Sequence, residues 1–273
     1  MNHHEDMEVK MINRNLMRKA SQIFVALALI LNCAVAGAAQ IYWTDWTGSN
    51  TGPVSGLFQG QGTITTPTTT LNVTYNNPQG IGFYQVSGGT DWWNPRTPVG
   101  SSPYTSALVD NPPDFNDIVA LQYAGNQTLQ FSQTIANPVF SYVSLNGNGY
   151  AFLNQDFEIL SYGGAGGNLP GDNSCGYWGC GTSYKNVVNL GNGNIEYQLL
   201  GTGEPHGTIR FTGAFNTLTW RSLSNEYWNG FTVGVQGTAA EILPPTGVPE
   251  PATMLLLGLG LMGLAGVRRK FKK

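Results

Sequence analysis

The chain has 273 residues, of which 11% are charged and 11% aromatic, with 36 Gly and a formal net charge of −3. Between residues 40 and 247 there are four basic side chains, Arg96, Lys185, Arg210 and Arg221, against twelve acidic ones, a formal −8 for that stretch. This balance argues against nucleic acid and anionic surfaces as partners, and is compatible with neutral glycans or divalent cations.

The N-terminus reads as a secretory signal peptide over residues 1–39. An apolar core from Ile23 to Gly37 follows Lys10, Arg14, Arg18 and Lys19, and small residues (Ala34, Ala36, Ala38, Ala39) place cleavage after Ala38 or Ala39. The acidic, His-containing start (His3, His4, Glu5, Asp6) is unusual for such a leader, and leaves Met11 open as the initiator. Cys33 lies in the apolar core, where Asn32 before it fits a lipoprotein cleavage box poorly. The leader implies the secretion machinery and signal peptidase as partners.

Residues 40–243 read as one exported domain, long enough for a substantial core. Short runs of β-branched and aromatic residues alternate with Gly/Asn/Pro turns. They include Leu71–Tyr75, Ile118–Tyr123, Thr128–Ser132 and Val139–Leu145, then Ile195–Leu199, Thr208–Phe211, Phe215–Trp220 and Gly230–Val235. Period-2 alternation between turns predicts ten to twelve antiparallel strands, and no window of the body predicts an amphipathic helix. The expected fold is an all-β antiparallel sandwich, jelly-roll-like, in which two sheets packed face to face limit exposed edges.

Three segments depart from the strand pattern. Thr63–Thr70 is Thr-rich and reads as an exposed strand, a linker or an O-glycosylated patch. Gly88–Phe115 carries Pro95, Pro98, Pro103, Pro112 and Pro113 and reads as a long ordered loop or surface excursion. Gly163–Gly181 is a second, glycine-rich loop. It holds Cys175 and Cys180, the two cysteines outside the leader, and an even count in an exported chain predicts a disulfide between them.

The C-terminus, residues 244–273, has three parts in order. Val248-Pro249-Glu250-Pro251 is extended, because both prolines fix φ and lack an N–H. An apolar run from Ala252 to Val267 follows, short for a membrane helix unless flanking stems snorkel. A basic stop, Arg268, Arg269, Lys270, Lys272 and Lys273, ends the chain and is expected to stay on the cytoplasmic side. Gly258, Gly260 and Gly263 spell G-x-G-x-x-G, but inside an apolar tail rather than a βαβ unit, so no dinucleotide site is expected.

This order of motif, apolar run and basic cluster resembles the PEP-CTERM sorting signal. The resemblance implies a transmembrane helix in the inner membrane and recognition of the Pro-Glu-Pro motif at its outer face by an exosortase-type processing enzyme. Within the body, Asn137–Leu145, the Trp178–Cys180 loop, His206–Ile209 and Trp228–Val235 look like segments of exported β-sandwich proteins that carry this tail. The expected role is a non-enzymatic cell-surface or matrix protein linked with exopolysaccharide or biofilm.

Several side chains could carry chemistry beyond sorting. Trp92, Trp93 and Trp178 lie in loops beside amides and carboxylates, where flat rings suit the apolar face of a sugar, so a glycan-binding module is an alternative reading. Trp43 and Trp220 are expected in the core. Asp156 and Glu158 alternate with Phe157 and Ile159, which puts both carboxylates on one strand face, as a glycoside hydrolase would need or as a solvated face would show. Asp110, Asp114 and Asp117 form an oxygen-rich turn that suits Ca²⁺ without matching an EF-hand loop, so no metal or other cofactor is expected. His206 has Glu204 nearby as a possible acid–base pair, but no nucleophile motif accompanies it. Asn72-Val73-Thr74 and Asn126-Gln127-Thr128 match the N-glycosylation pattern.

Overall fold

A computed structural model describes residues 38–50, 56–93, 102–113, 116–162, 179, 181–243, 255, 256 and 258–260, all within the unit Ala38–Lys273. The strands are β1 (Tyr42–Trp43), β2 (Asp45–Ser49), β3 (Phe58–Thr65), β4 (Thr70–Asn77), β5 (Phe83–Gln85), β6 (Ile118–Leu121), β7 (Gly125–Ala136) and β8 (Val139–Val143). They continue as β9 (Gly149–Leu153), β10 (Phe157–Tyr162), β11 (Gly181–Gly191), β12 (Asn194–Gly203), β13 (Gly207–Phe211), β14 (Ala214–Ser222) and β15 (Asn229–Val235).

Two antiparallel sheets result. One runs β10-β13-β8-β15-β6-β5, with β1 also on β15, and the other runs β11-β12-β9-β14-β7-β4-β3-β2. From β6 onward every connection crosses between the sheets except the β11–β12 hairpin. That hairpin closes through Asn192 (φ 51°) and Gly193 (φ 78°), the left-handed pair that a tight two-residue turn requires.

The core follows from alternation. In β3 and β4, Phe58, Ile64, Leu71, Val73 and Tyr75 turn inward, while Gln61, Thr65, Thr70 and Asn72 stay exposed. The facing sheet contributes Phe140, Tyr142, Ile209, Phe211, Phe231 and Val233 to the same apolar cluster. Phe140 stacks on Phe231 at 4.9 Å, and Trp220 meets Phe231 edge-on at 5.1 Å. Fully burying each such side chain contributes about 1.5–3 kcal/mol.

The strands β6, β8 and β15 are buried at every residue, because their sheet is covered on both faces. The cover is the proline-rich segment that the sequence presents as a long ordered loop or surface excursion. Its Trp93 and Tyr104 pack on Ile118 and Val143, and its Val109 packs on Ile41, Trp43 and Val139. Close approach depends on glycine: a Cβ on Gly230 would lie 2.3 Å from Ile118 Cδ1, and one on Gly234 would lie 2.5 Å from Ile41 Cγ2. Hydrogen bonds fix the cover, with Thr208 Oγ1 donating to Tyr104 O (2.9 Å) and Trp93 Nε1 to Asp117 O (3.1 Å).

The Thr-rich segment is the end of β3, a turn and the start of β4. Thr66 Oγ1 in that turn donates to Glu241 Oε1 at 2.9 Å. Glu241 belongs to α1 (Ala239–Ile242), a single turn with a capping box on Thr238. This helix is too short for periodicity to announce it.

Candidate functional site

The predicted side chains fall in four places. Trp93 is 2% exposed and forms part of the cover, with its ring edge-on to Tyr104 at 5.2 Å. A ring so enclosed offers no face to a sugar. Trp92 is half-buried and packs at the margin of the same cluster, in an aromatic group with Phe83 (4.9 Å) and Trp228 (5.1 Å). Next to Trp228 in sequence, Tyr227 is 88% exposed. Sequence reasoning missed Phe83 and Trp228, which only the pairing of β5, β6 and β15 brings together. Trp178, Cys175 and Cys180 lie outside the described residues, so the sugar contact and disulfide expected there do too.

Asp117 is buried and its Oδ2 accepts from Trp46 N at 2.7 Å, an anchor between β2 and the segment entering β6. Asp110 is exposed, and Asp114 lies outside the described residues. Among the described residues no group of three His, Cys, Asp or Glu side chains could hold a metal.

Asp156 and Glu158 project to solvent around buried Phe157, as alternation requires. Each carboxylate faces a cation. Arg210, directly across from Glu158 in the β10–β13 register, donates to Glu158 Oε2 at 2.6 Å. Lys185 on β11 pairs with Asp156 and donates to Phe157 O at 2.8 Å. Lys185 thereby ties the outermost strand of one sheet to the outermost strand of the other.

At one end of the sandwich the β8–β9, β12–β13 and β14–β15 connections converge. Glu204 accepts from Ser144 Oγ at 2.6 Å and from Asn146 Nδ2. His206 is buried, and its Nδ1 lies 2.9 Å from the backbone carbonyl of Glu204, so it is that oxygen, not the carboxylate, that orients the ring. Glu226 was no candidate in the sequence. Burial pushes its carboxyl up to about 8, with the Glu204 charge adding to the effect and the Asn229 hydrogen bond opposing it. Such a group holds its proton at neutral pH.

The sorting tail is the remaining site. Leu255, Leu256 and Gly258–Gly260 are helical, and Leu255 and Leu256 are each 65% exposed. Among the described residues no helix is long and apolar enough to cross a membrane. Pro249, Glu250, Pro251 and the basic stop lie outside the described residues, as do residues 1–37 of the N-terminal leader. Residues 247–270 match the family described as the PEP-CTERM protein-sorting motif. Comparison with curated proteins and with solved structures found no match. The molecule is therefore an all-β, two-sheet antiparallel protein that carries a PEP-CTERM motif at its C-terminus. That motif supports an exported protein, anchored transiently by its C-terminus and sorted by an exosortase-type enzyme.

Proposed function

We propose that the protein is a non-enzymatic component of the cell surface or extracellular matrix, working with exopolysaccharide in a biofilm. Signal peptidase and the secretion machinery deliver the β-sandwich across the inner membrane. The apolar tail then holds it there until the processing enzyme acts. The observation that carries this reading is the PEP-CTERM motif at residues 247–270, immediately downstream of an all-β body. The pairing of Asp156 with Lys185 and of Glu158 with Arg210 supports a structural rather than a hydrolytic use of those carboxylates.

A glycan-binding module is the second reading, favoured by the grouping of Trp92, Phe83 and Trp228 beside exposed Tyr227. The test of the main reading is a Pro249→Ala/Pro251→Ala variant, expressed in the native host and followed by fractionation. Retention of the uncut variant in the membrane, with the parent in the matrix, is the expected result. Equal release of both would refute it.

A further inference from the structure

The outer face of the eight-stranded sheet is unusual in its chemistry. No Asp, Glu, Lys or Arg occurs from Trp46 to Thr90 or from Ile118 to Gln155, so β3, β4 and β7 carry no charge at all. Their outward side chains are amides and hydroxyls in cross-strand rows: Gln59 Nε2 donates to Asn76 Oδ1 at 2.8 Å, and Thr128 and Thr219 share a hydrogen bond at 3.2 Å.

One break interrupts this plane. Phe215 on β14 pairs with Ile135 of β7, yet Thr217 pairs with Gln130, so residues 131–134 have no partner on that side. Irregularities of this kind re-aim side chains and often adjoin functional sites. Here the break accompanies a groove of about 290 Å³. Asn72 and Thr74 of β4 line it, with Gln130 and Ser132 of β7 and Asn216 and Thr217 of β14, while Phe131 between them turns its side chain into the core.

The lining side chains are amide donors and acceptors and hydroxyls, with no ionisable group. It therefore offers no counter-charge to phosphate, uronate or metal ions. It suits a ligand with many uncharged hydroxyls. The volume lies at the lower end of the range for small-molecule sites, about 300–1,000 Å³, and the flat rows beyond it let a longer ligand continue. The −8 charge of the surrounding body disfavours polyanions and leaves neutral chains unaffected.

We propose that this groove binds a neutral polysaccharide chain, seating one sugar among the amides and hydroxyls of β4, β7 and β14. The proposal rests on the reading that the protein is delivered outside the cell, and it names a ligand class and a surface for it. The site is separate from the Trp92 aromatic group.

The test is affinity electrophoresis of the full chain in detergent, through gels containing dextran, mannan or xyloglucan, with alginate as the acidic counterpart. Retardation by at least one neutral polymer and not by alginate is expected. Thr217→Arg and Ser132→Glu, on outward positions, should each weaken that retention about tenfold or more at unchanged Tm. If one of the two variants fails to fold, the other decides. Failure of every neutral polymer to retard the parent, equal retardation by alginate, or full binding by a folded groove variant overturns the proposal. Host-cell fractionation reports separately on delivery, so an exported protein that ignores all three polymers sinks the groove alone.

Discussion

Asn229 Nδ2 donates to Glu226 Oε2 at 2.9 Å, and the same Asn229 accepts through Oδ1 from the buried Tyr150 hydroxyl. A partly exposed carboxyl is thus linked through one amide to a ring in the core. Its pKa is raised to about 8, so the folded state binds a proton that the unfolded state releases near the ordinary carboxylate value.

Stability from this group is therefore fully present at pH 4 and falls as pH rises from about 4.5 to 8. Allowing for solvent screening at a half-buried site, the loss should be about 1–2 kcal/mol. Glu226→Gln should flatten the decline, and chemical denaturation of parent and variant at pH 5 and pH 8 measures it. Parallel pH dependences would contradict the assignment.

The two neighbouring tryptophans should behave differently. Trp93 is enclosed by the cover over the seven-stranded sheet, so Trp93→Ala should cost about 3–5 kcal/mol. Trp92 is half-buried, and Trp92→Ala should cost less than half as much. Urea midpoints of the two variants provide the comparison.

Gly234 faces Ile41 and Trp43 where a Cβ would sit 2.5 Å from one and 2.8 Å from the other. Gly234→Ala should destabilise by about 1–3 kcal/mol through overpacking. The double variant Gly234→Ala/Ile41→Ala should recover part of that loss. Strict additivity in the denaturation data would show that the contact is not what excludes the methyl.

Lys185 joins Asp156 and the Phe157 carbonyl, and its ammonium lies 5.2 Å from the Phe157 ring centre and 5.1 Å from that of Tyr197. Lys185→Met keeps the stem and removes the charge. A loss of about 1 kcal/mol, shrinking in high salt, is expected from an exposed pair with cation–π support. Hydrogen exchange should quicken at the β10 and β11 amides if the lysine closes this edge.

Much of the fold was legible because burial is local in a strand. The runs at 71–75, 128–132 and 195–199 alternate cleanly in sequence, and these and the run at 215–220 each lie within a strand. Glycine-bearing or very short strands escaped. In β3, Phe-Gln-Gly-Gln-Gly hides its inward face because Gly60 and Gly62 take inward positions, and β1 is only two residues long. The cover was legible as a loop but not as a buried one, because prolines report backbone, not burial. Trp93, Tyr104 and Val109 are held by contacts with strands far along the chain, which no local window contains. Glu226 escaped for the same reason, since its environment comes from three separate connections. The tail needed no fold at all: a linear signal read by an enzyme is complete in its sequence.

The central claim is export followed by processing at that tail, and intact mass of the mature protein tests it most directly. Protein recovered from the matrix should begin near residue 39 or 40 and end near Glu250, with any longer form confined to the membrane. A chain extending through Lys273 in every fraction would contradict the account.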